Sequence, residues 1–279
     1  MARRPEGPGP VFVYGAGKVG AGLARELARA GVQVTLRAAR RGLPRAIRAD
    51  LVVLAVRDRD LEPLAARMRA AGVVAAQAAV VHVSGALGAE PLAALRGACA
   101  GVGQMHPMMS FASPRSTPVL ARGNVRVAGD RVAVARAKAL ARALGMTPRL
   151  LEGIDTVAYH AAAGLVANGA AALGAMGAEL LERAGVARAV APKMLGPLLR
   201  SVADNVEAMG FPDALTGPVR RGDAAGLERH LAVLRAKLPS AVPLYLASAA
   251  AQLPLARALG DAPAASFDEV DRAIQRQTL

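Results

Sequence analysis

Four side chains in this 279-residue sequence have the type and setting to act on a small molecule: Ser84, His106, His160 and Asn168. His106 follows a run that reads as a strand, about 100–105, and precedes Pro107, which restricts its backbone to extended conformations. An imidazole at a strand end titrates near neutrality and is a candidate proton donor or acceptor. Ser84 closes another strand, 79–83, in VSG (83–85) and so stands at the ligand edge of the sheet, although its local sequence alone reads first as that of a turn serine. His82 lies two residues back on the same strand face and is the rival to His106. His160, Gly164 and Asn168 are spaced i, i+4 and i+8, so they share one side of a helix that could face a cleft between domains. Cys99 is the only cysteine, which excludes a disulfide within the chain. No metal site is expected, because four-ligand structural zinc sites draw mainly on cysteine.

A second group of residues could hold an anion. Val11 to Tyr14 reads as a buried strand, GAGKVG (15–20) follows at once, and Val19, Leu23 and Leu27 then recur at helical spacing. Strand, glycine turn and helix in that order form a dinucleotide fingerprint, in which Gly15 turns, Gly17 lets backbone approach a pyrophosphate and Gly20 lets helix pack on strand. Ala16, Lys18 and Val19 complete the expected contact set. At the end of the second strand, 32–36, an NAD site would carry an acid for the ribose hydroxyls. No Asp or Glu stands between Glu26 and Asp50, and Arg37, Arg40 and Arg41 crowd the position instead. Guanidinium groups suit a 2′-phosphate, so the expected cofactor is NADP, with NAD less favoured. Val56 and Arg57 close the third strand, 51–56, at the sheet edge where such ligands bind.

The elements that must position these groups alternate strand and helix as far as Leu151 and are helical thereafter. That pattern predicts an α/β fold: a Rossmann doubly wound parallel sheet in residues 1–152, then an all-helical second domain in 153–279 for substrate and dimerisation. The helices are expected at about 154–184, 187–209, 223–237, 240–258 and 266–277. Gly and Ala line the first of these, which is expected to be the buried centre of the helical domain rather than a membrane span. Hydrophobic residues make up 53% of the chain, enough for a sizeable core. The formal charge is +14, but all but four of the 35 basic residues are arginines scattered along the chain. No basic stripe interleaves with aromatics, so no nucleic-acid partner is expected. MARRPEGPGP at the start does not read as a secretory signal, and a cytoplasmic location follows.

GAGKVG (15–20), VSG (83–85), HPMMSF (106–111), the His160–Asn168 helix and TGPVRRGD (216–223) together resemble a family of bacterial proteins with an N-terminal Rossmann domain and a C-terminal helical domain of unknown function. Its members are described at most as NADP oxidoreductases. The broader group includes prephenate dehydrogenase, pyrroline-5-carboxylate reductase and the β-hydroxyacid dehydrogenases. Resemblance to the first places Ser84 and His106 against the reacting part of a substrate, although Met109 and Ser110 replace the small residue and glycine usual after its His-Pro-Met. β-Hydroxyacid dehydrogenases carry a catalytic lysine four residues before an asparagine; here Asn168 is preceded by Gly164, so that mechanism does not transfer. The resemblance implies a homodimer and an NADP-dependent oxidoreductase that exchanges hydride with a small carbonyl, imine or alcohol in the interdomain cleft. The alternative is a non-catalytic NADP(H)-binding sensor or partner-binding protein.

Overall fold

The structure is a computed structural model that describes residues 7–276, so the first six residues of the basic N-terminal segment and the last three of the chain lie outside it. Seven strands form one sheet in the order β2-β1-β3-β4-β5-β6-β7. They are β1 (Val11–Tyr14), β2 (Val34–Arg37), β3 (Leu51–Leu54), β4 (Ala79–His82), β5 (Gly101–Pro107), β6 (Asn124–Gly129) and β7 (Thr147–Leu150). Helices α1 (Lys18–Arg29), α2 (Asp58–Ala70) and α3 (Arg131–Ala143) cross between strands. Val11 and Val13 pack with Leu23 and Leu27 on one face, while Phe12 and Tyr14 pack with Leu61, Leu64 and Met68 on the other. This alternation follows from the two-residue period of a strand, and covering both faces is what makes the central strands apolar throughout.

The sheet is parallel except between β5 and β6, where His106 pairs with Arg126 in antiparallel register. The alternation of elements predicted a parallel sheet throughout. The exception arises because the segment from Met108 to Gly123 contains no helix, and a parallel pair needs a crossover that such a connection does not supply. Strands β2 and β3 lie on opposite sides of β1, so the chain reverses direction across the sheet at β1/β3. Ligands of open α/β sheets bind at such a switch point, beyond the strands' carboxyl ends.

The chain divides by its contacts into two compact units, Met1–Leu165 and Val166–Leu279, so the division falls inside the long helix α4 (Thr156–Arg183). The second unit adds α5 (Ala191–Met209), α6 (Ala224–Lys237), α7 (Val242–Leu259) and α8 (Ala264–Gln275). Its core is built by α6, α7 and α8, through residues such as Leu227, Leu231, Leu253, Phe267 and Val270. Asp223 caps α6 by accepting from the Gly226 N–H at 2.7 Å, as its place before the helix predicts. Asp130 stands at the N-cap of α3, but its carboxylate accepts from the Val102 N–H at 2.9 Å and makes no capping bond to the helix.

Helix α4 departs most from its sequence reading. It is long and apolar enough to cross a membrane by length and composition, yet none of its residues is buried within the chain. Its small residues do admit a neighbour: Leu195 and Leu199 of α5 lie against Gly177 and Gly174. The outer side of the pair remains bare, with Val166, Met194 and Leu198 all more than half exposed. An apolar run predicts a buried centre, but sequence records only that a face is apolar, not whether the chain's own core covers it.

Candidate functional site

At the end of β1 the chain turns through Gly15, with φ of 112°. A side chain there would run into the Ala55 carbonyl, so the approach of this turn to the end of β3 depends on glycine. Gly20 sits against the Gly15 carbonyl oxygen in the same way. Gly17 differs, because a Cβ added to it meets nothing within 4 Å. The space beside it belongs to a cavity of about 320 Å³ walled by residues 15–17, 38–40 and 55–57 and by Asp60. Gly17 is also the N-cap of α1, which has neither a side-chain cap nor an acid in its first turn. The N–H groups of that turn are therefore free to bind an anion.

Of the three arginines that end and follow β2, the structure brings one to this cavity. Arg40 lines it, together with Arg57 from the start of α2. Arg37 donates from Nε to the Gly42 carbonyl and from Nη2 to the Arg41 carbonyl, both at 2.8 Å, so it shapes the turn that presents Arg40. Arg41 is exposed and is not part of the wall. Open space beside Gly17, an uncapped helix start and two flanking guanidinium groups fit an anionic dinucleotide, and no acid stands at the end of β2 to repel a further phosphate.

A second cavity, of about 340 Å³, continues from Lys18, Val19 and Val56 to Ser84, His106 and His160. Ser84 is only 8% exposed, and its Oγ has no hydrogen-bond partner among the described residues. A buried hydroxyl without a partner costs stability and points to a ligand group. The ring of His106 meets that of His160 edge-on at 5.6 Å, and both rings close over Gly85, where a Cβ would come within 2.8 Å of His106 Nε2. Any residue but glycine at 85 would push the two imidazoles apart. Asp155 accepts from the N–H groups of Val157 and Ala158, and Thr156 Oγ1 donates to the Ala86 carbonyl at 2.8 Å. These bonds dock the first turn of α4 beside the Ser84–Gly85 strand end, which carries His160 to the cavity. Asn168 lies two turns further along α4, exposed, and lines neither cavity.

The two rival histidines have separate environments. His82 is fully buried; its Nε2 meets the Gly88 carbonyl, and its Nδ1 accepts from the Ser84 N–H at 3.2 Å. Both ring nitrogens are occupied, and burial holds its pKa below the ordinary value, so His82 fixes the backbone that presents Ser84. His106 keeps Nε2 at the cavity. Burial first, then the neighbouring His160 and Arg126, lower its pKa to about 4. It is therefore a neutral imidazole at physiological pH, able to offer a hydrogen bond but rarely a full positive charge.

Behind the cavity stands a buried polar chain not anticipated from sequence. Gln104 Nε2 donates to the Ser84 carbonyl at 2.7 Å, and Gln104 Oε1 accepts from Arg126 Nη1 at 3.0 Å. Arg126 Nε donates to the Leu151 carbonyl at 3.1 Å, and its guanidinium lies 5.7 Å from the centroid of the Tyr159 ring. Tyr159 Oη in turn lies 3.1 Å from His106 Nδ1. The signal was present in NVRVAG: an arginine inside an apolar strand needs buried partners. In the second unit, Arg220 of the TGPVRRGD segment donates to Asp261 at 2.6 Å and to the Asp213 and Leu215 carbonyls. Among the described residues no group of three or more His, Cys, Asp or Glu side chains could hold a metal ion.

Residues 43–107 match a Rossmann-like domain, and residues 124–252 match a domain of unknown function, DUF2520. No curated protein matches the chain in sequence. Solved structures share the fold across nearly the whole chain. BF3122 from Bacteroides fragilis is 20% identical and has a TM-score of 0.68 over 88% of this chain and 98% of its own. A 1-pyrroline-5-carboxylate reductase from Streptococcus pyogenes is 16% identical, with a TM-score of 0.60 over 86% of this chain and 98% of its own. The pyrroline carboxylate reductase of Plasmodium falciparum, solved with NADP bound, is 12% identical, with a TM-score of 0.59 over 96% of each chain. The DUF2520 match begins at β6, inside the sheet, and runs on into α7, while the Rossmann-like match ends with β5.

Proposed function

We propose that the protein is a soluble, cytoplasmic NADP-dependent oxidoreductase acting on a small carbonyl, imine or alcohol. The observation that carries this reading is the unpartnered Ser84 Oγ beside His106 in a cavity that continues from the dinucleotide fingerprint. Residues 15–20 would hold the pyrophosphate, with Val56 and Arg57 beside it and Arg40 at the 2′-phosphate. A bound nicotinamide would supply or accept the hydride. Ser84 and the neutral His106 would orient the reacting oxygen or nitrogen by hydrogen bonds, and His160 would close the cavity from α4. That pyrroline carboxylate reductases share the fold, one of them with NADP bound, supports the reading.

The first test is calorimetric titration with NADP(H) and NAD(H), followed by NADPH consumption across a panel of 2-keto acids and cyclic imines. Binding without turnover on any of them would favour a sensor, and binding of neither cofactor would sink the reading. Arg40→Ala should weaken NADP(H) by roughly tenfold to a hundredfold, the worth of one charge-assisted bond of about 1.5–3 kcal/mol. NAD(H) affinity should stay unchanged. Arg37→Ala should weaken both cofactors by loosening the turn it holds. Equal losses for NAD(H) and NADP(H) in Arg40→Ala would remove the phosphate assignment.

The proposal includes a homodimer, formed through the bare faces of α4 and α5. An apolar face this long on a soluble protein calls for a partner. Light scattering at micromolar concentration should give twice the 28.4 kDa chain mass. Leu198→Glu should give a folded monomer. A wild-type monomer would count against the dimer and leave the cavity assignments untouched.

A further inference from the structure

We propose that Tyr159 is a positioning residue that locks His106 in the tautomer with its proton on Nε2, facing the cavity, and that Arg126 holds Tyr159 in that role. Tyr159 Oη and His106 Nδ1 are 3.1 Å apart, with the two rings edge-on at 80°. One proton is shared in this contact, and chemistry sets its direction. A phenol is a good donor and a weak acceptor, because its oxygen lone pair is conjugated with the ring. A bare imidazole nitrogen is a strong acceptor. Tyr159 therefore donates, Nδ1 accepts, and the ring proton resides on Nε2. The neighbouring guanidinium reinforces this sense. Arg126 is only 3% exposed, has no carboxylate partner among the described residues and lies 5.7 Å from the Tyr159 ring centroid. A cation over the ring draws electron density from it and makes the hydroxyl a better donor.

The same Arg126 reaches Ser84 through Gln104, so one buried guanidinium braces both cavity groups from behind. That arrangement explains why a charge is kept inside an otherwise apolar strand. Nε2 is the ring nitrogen turned toward Gly85 and the cavity, so the lock presents an N–H to a ligand next to the Ser84 hydroxyl.

A role in orienting a substrate rests on the proposed function; the tautomer does not, and it is measured without substrate. Nitrogen-15 NMR of uniformly labelled protein at neutral pH resolves the two ring nitrogens of each histidine, with His106→Gln identifying the signals of His106. The expected result is a pyrrole-type, protonated Nε2 and a pyridine-type Nδ1 in wild type. Tyr159→Phe should move both nitrogens toward the averaged values of a free imidazole while circular dichroism and Tm stay as in wild type. Arg126→Met should shift them the same way, and Arg126→Lys should restore part of the lock. A protonated Nδ1 in wild type would overturn the inference, as would a Tyr159→Phe protein with unchanged His106 signals. Either result would leave cofactor binding and turnover, and with them the proposed function, standing.

Discussion

Gly17→Asp should reduce NADP(H) affinity by at least a hundredfold and leave Tm within a degree or two of wild type. The two halves of this expectation have one cause. A Cβ at Gly17 meets no protein atom within 4 Å, so the folded chain has room for a side chain there. The room is that of the proposed pyrophosphate, and a carboxylate in it adds bulk and a like charge at an uncapped helix start. Losing one or two charge-assisted bonds, at about 1.5–3 kcal/mol each, already gives that factor. Gly20→Val is the contrast. Its Cβ would strike the Gly15 carbonyl, so it should lower Tm even without cofactor. Calorimetry and thermal unfolding of both variants separate a ligand cradle from a packing glycine. Unimpaired binding in Gly17→Asp would mean that the open space beside residue 17 is not where the cofactor lies.

What the sequence disclosed follows the physical range of each signal. The turn at 15–20 was legible because strand, glycine spacing and amphipathic helix are local, and local rules govern them. Ser84 and His106 were legible as strand-end residues, which an open sheet gathers at one edge. Their distinction from His82 was not, because it depends on a carbonyl six residues along, at Gly88, and on the backbone N–H of Ser84 itself. Arg37 and Arg40 have the same side chain three residues apart, and only the fold shows one bracing a turn and the other lining a cavity. Tyr159 and Gln104 carry no local signal for a related reason. They contact the cavity residues across 53 and 20 positions of sequence, and neither residue type is unusual where it stands. Helix α4 shows the opposite limit: its apolar character was plain, but none of its residues is buried within the chain.

His106→Ala should lower turnover by about 10²–10³-fold, the cost of losing one preorganised donor at a reacting oxygen. Cofactor affinity should barely move, because His106 lines the second cavity and not the wall around Gly17. Ser84→Ala should cost less, and the double variant less than the product of the two, since both groups serve one atom. The pH profile distinguishes how His106 works. Its pKa is about 4, held there by burial, by His160 of α4 and by Arg126 of β6, with a smaller push from His82 of β4. Only Asp58 of α2 favours the charged ring. If the neutral ring is the working form, kcat/KM for a non-ionising ketone should be flat from pH 8 to roughly 5.5. If the imidazolium donates a full proton, the active fraction grows tenfold for each unit of acidification over that range, and kcat/KM should climb with it. The same depressed pKa makes a stability prediction of definite sign. Between the unfolded value of 6.5 and the folded value of about 4, the unfolded chain binds the extra proton. His106 thus contributes stability that is complete above pH 6.5 and is lost as pH falls toward 4. In His106→Gln, which stays neutral, Tm should decline less over that window than in wild type. Parallel Tm curves would show that His106 is not held neutral, and a kcat/KM that climbs with acid would return it to the role of general acid.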